Sequence, residues 1–114
     1  MARKNESVLN VRHEGNAVVV DLTGDVDLLH NKQIHHALVA VCEGKPERLL
    51  VNLGDVTYID SSGVGALVEA YRKVKDRGGR LILFGMSPRV RSVFEVTKLD
   101  KFFEIVDTEA EALA

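Results

Sequence analysis

Short apolar runs with strand character alternate with helical patterns along most of this chain, and that alternation admits few folds. Arg48-Leu49-Leu50-Val51-Asn52-Leu53 reads as a strand, and Leu49 to Val51 suits one covered on both faces. A helical stretch from Ser62 to Arg77 follows, with Val64, Leu67, Val68, Tyr71 and Val74 on one side. Gly78-Gly79 stops it, and Arg80-Leu81-Ile82-Leu83-Phe84 is another short strand. Ser87-Pro88 opens a further helix, with Ser as the cap and Pro at the first helical position; Val90, Val93 and Phe94 form its buried stripe. Phe102 to Val106 reads as the last strand. Thr108-Glu109-Ala110-Glu111 carries the capping-box pattern of a short terminal helix.

The first third has a different rhythm. Val8 to Arg12 and Ala17 to Leu22 are β-rich and flank the turn signal Glu14-Gly15-Asn16, which makes a hairpin with an antiparallel first strand. Thr23-Gly24-Asp25-Val26-Asp27 is expected to break the second strand. From Leu29 to Val41, Ile34, Ala37, Leu38 and Val41 share a helical face, with Asp27 near the N-cap. Glu43-Gly44-Lys45-Pro46 ends that helix, and Gly54 to Asp60 is expected to be a loop. The order β-β-α-β-α-β-α-β-α over 114 residues predicts one α/β domain: about five strands in a mixed, mostly parallel sheet, with about four helices. Right-handed crossovers put successive helices on one face unless the strand order reverses. Met1 to Ser7 is expected to be a flexible lead.

Composition narrows the function. Apolar residues are 46% and charged residues 28%, the balance of a soluble globular domain, and the net charge of −2 carries no nucleic-acid footprint. Arg72, Lys73, Lys75 and Arg77 cluster at a helix end, where they balance the helix dipole. No stretch has the length of a membrane span, and the N-terminus lacks the apolar core of a signal peptide, so the expected compartment is the cytoplasm. One cysteine, Cys42, excludes an internal disulfide and a Cys-based zinc site. No cluster has metal-ligand spacing.

The chemistry concentrates in Tyr58-Ile59-Asp60-Ser61-Ser62-Gly63-Val64-Gly65-Ala66-Leu67, a strand-to-helix junction. A serine there is exposed, backed by free backbone N–H groups and well placed to carry a phosphate. Simple helix capping is the competing explanation for the same residues. A nucleophilic hydrolase is disfavoured, because neither Ser61 nor Ser62 has a glycine two residues before it. His30, His35 and His36 are expected to face solvent. A dinucleotide enzyme is disfavoured too: Gly63-x-Gly65-x-x-Val68 lacks the third glycine, and no phosphate-binding G-x-x-x-x-G-K-[ST] occurs. Regulatory phosphorylation fits best, and noncatalytic small-ligand binding at the same helix start remains open. Ser62, Gly63, Gly65, Ala66 and Glu69 are expected on the exposed side of the helix as a small-residue docking face. Asp25 and Asp27 are expected to border it, and Asp55 to be a turn residue.

These blocks, with Leu22-Thr23-Gly24-Asp25-Val26-Asp27, Gly78-Gly79-Arg80-Leu81 and Ser87-Pro88-Arg89-Val90, fall in an order that resembles a stand-alone STAS domain of the bacterial anti-sigma factor antagonist type. The resemblance runs from about Val8 to Leu113. It implies a non-enzymatic partner switch with no cofactor of its own. The unphosphorylated antagonist binds an anti-sigma factor that is also an ATP-dependent serine kinase. Phosphorylation of the first serine of the block, Ser61 here, ends the complex, and a metal-dependent serine phosphatase reverses the mark. Asp60 and Ser62 flank the acceptor, Gly63 and Gly65 shape the helix start, and Asp25 and Asp27 match an acidic loop near the docking surface. Glu is common in the family at the Asp25 position. The alternative within the family is a ligand-binding or scaffold STAS domain that regulates another target, in which Ser61 caps the helix and is never modified. Tandem mass spectrometry of the protein from growing and stressed cells is expected to find phosphate on Ser61 with an occupancy that changes between cultures. A well-covered, never phosphorylated Ser61 peptide would favour the alternative.

Overall fold

A computed structural model describes residues 8–114, so the expected flexible lead, Met1 to Ser7, lies outside the described residues. The elements run β1 (Val8–Glu14), β2 (Ala17–Val26), α1 (Asn31–Glu43), β3 (Arg48–Ile59), α2 (Ser61–Asp76), β4 (Arg80–Phe84), α3 (Pro88–Val96), β5 (Glu104–Val106) and α4 (Glu109–Leu113). One five-stranded sheet holds the strands in chain order, β1-β2-β3-β4-β5. β1 is antiparallel to β2, as its hairpin requires, and the other pairs are parallel.

Because strand order follows chain order, each crossover helix returns to the same side of the sheet. Val20, Leu22, Leu49, Val51, Leu53, Leu81 and Leu83 meet Ile34 and Leu38 of α1, Val64, Leu67 and Val74 of α2, and Val90 and Phe94 of α3. The alternate residues Ala17, Val19, Leu50, Ile82 and Phe84 point the other way and pack with Ala112 of α4. Leu49 to Val51 is thus buried on both faces. Cys42 is a buried core residue whose thiol is pushed up in pKa by that burial.

The ends of β1, α1 and α2 fall one or two residues from the sequence expectation, and three other boundaries differ for a reason visible in the packing. Thr23 to Val26 does not break β2; it stays paired with Asp55 to Ile59, with register shifts between Asp21 and Thr23 and between Gly24 and Asp25. Gly24, at φ 68°, supplies the left-handed residue that an irregular ladder uses, so its signal marks a bulge rather than an end. For the same reason Gly54 to Ile59 belongs to β3, and Asp55 is a strand residue opposite Thr23. At the other end, β5 begins at Glu104, because Phe102 and Phe103 turn into an aromatic cluster with Tyr71 and Phe94 instead of pairing.

A five-residue helix is too short to persist by itself, and α4 is fixed by contacts at both ends. Its capping box is complete: the Glu111 N–H donates to the Thr108 hydroxyl at 3.2 Å, and the Thr108 N–H donates to Glu111 at 3.1 Å. Arg48 donates to the Leu113 carbonyl at 2.8 Å. Arg12 of β1 donates to Glu109 at 2.7 Å and forks onto both oxygens of Asp21, at 2.7 and 2.9 Å. Asp21 is a buried carboxylate, and Asn52 donates to it as well, at 2.8 Å. The Arg12 guanidinium first, and then Asn52, hold its pKa below the ordinary carboxylate range against the opposing effect of burial.

Arg12→Met strands the Asp21 charge and releases Glu109, with an expected cost of about 2–3 kcal/mol in chemical denaturation. A depressed carboxylate stabilises the fold above its unfolded pKa of about 4, and that contribution is lost as pH falls through the lower folded value. The stability difference between wild type and Arg12→Met is therefore expected to shrink below about pH 4.

Candidate functional site

The site is built where β2 and β3 both end. Asp60 lies between β3 and α2 with an extended backbone, and its N–H donates to the Val26 carbonyl at 3.2 Å. Its side chain does two jobs. One oxygen accepts the Gly63 N–H at 3.0 Å and caps α2; the other accepts the Leu28 N–H at 3.2 Å from the β2–α1 loop. Asn31, first residue of α1, donates to the Ser62 hydroxyl at 3.2 Å and to the Ser62 carbonyl at 3.1 Å. The beginnings of α1 and α2 are thereby tied into one surface.

Ser61 is the first residue of α2 and is exposed. Among the described residues its hydroxyl has no hydrogen-bond partner. Helix geometry leaves the Ser61 and Ser62 N–H groups without intrahelical acceptors, at the positive end of a sixteen-residue helix. Capping does not explain Ser61, since Asp60 does the capping. Ser62 is half-buried and engaged by Asn31.

The expected small-residue face is corrected in two places. Gly63 and Ala66 are buried, not exposed. A Cβ on Gly63 would stand 2.2 Å from the Val26 carbonyl oxygen, so this glycine is there for close packing of α2 on the end of β2. Ala66 turns inward beside Ala70, toward Leu38 and Cys42 of α1. The outward stripe is Ser61, Gly65 and Glu69, each four residues from the last, as 3.6-residue periodicity requires. Glu69 faces His35 of α1 at 3.5 Å and lies about 12 Å along the helix from Ser61.

The acidic residues divide. Asp25 is exposed on the end of β2, across from Tyr58. Asp27 turns inward: it accepts the His30 backbone N–H at 3.1 Å and meets the His30 ring Nδ1 at 2.6 Å. His30, then the backbone N–H groups, hold the Asp27 pKa below the ordinary range. His30 is therefore not the solvent-facing residue expected, whereas His35 and His36 are exposed. Leu28 and Leu29, 75% and 87% exposed, and Tyr58, 46% exposed, were not singled out by sequence reasoning. A signal existed: neither leucine fits the apolar stripe of α1 at Ile34, Leu38 and Cys42. No group of residues with metal-binding geometry occurs among the described residues, and no helix there is long and apolar enough to cross a membrane.

A mixed sheet in this order, with a serine pair opening its second helix, defines a class. The STAS domain family model matches residues 8–112, and the chain belongs to that family. Its relatives include anti-sigma factor antagonists. The anti-sigma-B factor antagonist of Bacillus subtilis is 31% identical over 104 residues, covering 91% of this chain and 92% of that one. The crystal structure of an anti-sigma factor antagonist from Mycobacterium paratuberculosis superposes with a TM-score of 0.85 at 27% identity, covering 93% and 89% of the two chains. The Bacillus cell fate determinant SpoIIAA in its phosphorylated form superposes at 0.70 with 27% identity, covering 91% and 95%.

The two glycines at the site are expected to respond oppositely to alanine. Gly63→Ala forces α2 off the end of β2 and is expected to cost about 3 kcal/mol or more in denaturant unfolding. Gly65→Ala adds its methyl in open space on a helix and is expected to gain about 0.5–1 kcal/mol. A lower midpoint for Gly65→Ala would contradict the outward placement of that residue.

Proposed function

We propose that this protein is an anti-sigma factor antagonist working by partner switching, with Ser61 as the phosphoacceptor. The observation that carries it is the division of labour between neighbours: Asp60 caps α2, and the Ser61 hydroxyl is left exposed with no hydrogen-bond partner among the described residues. Unphosphorylated, the chain docks the α2 start onto an anti-sigma factor that is also a serine kinase, and a sigma factor is freed. Ser61, Gly65 and Glu69 meet the partner directly, and Asp25 borders the contact. Ser62, Gly63, Ala66 and Asp27 shape the surface from behind.

Phosphorylation suits this geometry. It adds a charge of about −1.5 to −2 and three acceptor oxygens. The helix start, with its free N–H groups, tolerates that charge, so the fold survives while the docking surface changes. An interface fitted to a neutral hydroxyl then meets bulk and charge, and a loss of about 3 kcal/mol is roughly a hundredfold in affinity. ATP and metal belong to the kinase and to a metal-dependent serine phosphatase. The chain is itself not an enzyme and works in the cytoplasm.

Binding of Ser61 variants to the anti-sigma factor tests the switch by calorimetry. Ser61→Ala is expected to bind within about threefold of wild type and to stay bound when ATP is added, while Ser61→Asp is expected to bind at least about tenfold more weakly. Equal binding by Ser61→Asp would sink the charge switch. Retention of ATP-driven release by Ser61→Ala would move the acceptor elsewhere.

A further inference from the structure

Two adjacent leucines left in water by the fold stand beside the phosphoacceptor. Leu28 and Leu29, 75% and 87% exposed, occupy the β2–α1 loop. This loop is ordered without them. The His30 N–H donates to the Asp27 carbonyl and carboxylate, at 3.2 and 3.1 Å, and the Asn31 side chain reaches over to Ser62. The Leu28 N–H is fixed by Asp60, whose other oxygen caps the helix that Ser61 opens. Both leucines are therefore presented from a preorganised loop, which lowers the entropic cost of binding through them. Along the same end of the sheet the β2–β3 ribbon adds exposed Tyr58 and the exposed carboxylates of Asp25 and Asp55. An apolar tip with an acidic border next to a modifiable hydroxyl has the composition of a contact surface.

We infer that Leu28 and Leu29 form an apolar docking ledge for the anti-sigma factor, and that Asp60 is the positioning residue that holds this ledge in register with Ser61. The inference rests on the partner-switch reading and deepens it. The partner must offer an apolar recess with cationic side chains on its border. The leucines supply affinity and selectivity for one anti-sigma factor over others, and Ser61 supplies the switch.

The test is calorimetry of the full chain against the purified anti-sigma factor of the same organism, loaded with a nucleotide that cannot donate phosphate. Leu28→Ser/Leu29→Ser touches no buried contact and is expected to leave the unfolding midpoint unchanged while weakening binding by at least about thirtyfold. Asp60→Asn keeps an oxygen for the Gly63 N–H but presents an NH2 group to the Leu28 N–H. It is expected to weaken binding about fivefold and to speed amide exchange at Leu28, with Gly63 unaffected. Added to the double leucine variant, Asp60→Asn is expected to cost nothing more, because its role is exercised through the leucines. Binding by the leucine variant within twofold of wild type overturns the ledge and leaves the switch standing. A full Asp60→Asn penalty in the leucine-free background overturns the positioning role. Self-association of wild type that the leucine substitutions abolish assigns the ledge to a second copy instead, and failure of wild type to bind any anti-sigma factor overturns both readings.

Discussion

The site depends on the parallel pairing of β2 with β3 being carried beyond the rest of the sheet. β4 pairs with β3 only as far as Asn52, but β2 follows β3 on to Ile59, absorbing two irregularities on the way. That extension delivers the Val26 carbonyl to the Asp60 N–H and lays the end of β2 against Gly63. Without it, the β2–α1 loop and the α2 start would be separate features. With it, they form one surface, and the hydrogen bonds of Asp60 and Asn31 keep it closed.

At that surface, the cap of α2 and the exposed hydroxyl belong to different side chains. A serine whose hydroxyl accepts a backbone N–H has its lone pairs and direction fixed by the helix. Asp60 relieves Ser61 of that duty and, as a carboxylate at the positive end of α2, is itself well placed electrostatically. Ser62 is held by Asn31, so the two hydroxyls of the pair are not equivalent. The difference comes from the neighbour across the loop, since the two residues are chemically identical.

The opposite face of the sheet is stabilised by different means. Three helices cover one side with apolar packing, aliphatic and aromatic, while the other side has the short α4 and a polar network. Arg12 joins Glu109 of α4 to Asp21 in the middle of β2, and Asn52 joins Asp21 to β3. Asn52 also accepts the Gly54 N–H at 2.9 Å, where the β3 extension begins. The network therefore ties down α4 and the root of the β2–β3 ribbon together.

Sequence periodicity determined much of the fold. The order of the elements, the antiparallel first hairpin, the Arg80–Phe84 strand, the Ser87 cap and the Thr108 capping box all follow from local stereochemistry and from patterns with periods of 2 and 3.6, which act within a few residues. The serine block declared itself for the same reason, since the exposed serine, the cap and the glycines are contiguous. What lay beyond local reasoning were features whose cause is distant in sequence. Gly24 and Gly54 signalled irregularity, and only the facing strand decides that the irregularity is a bulge within a continuing ladder. Gly63 and Ala66 are small like Gly65, and only the position of β2 and α1 decides which small residue is packed and which is open. The two leucines are exposed because no element among the described residues packs over them, a property that no residue carries by itself.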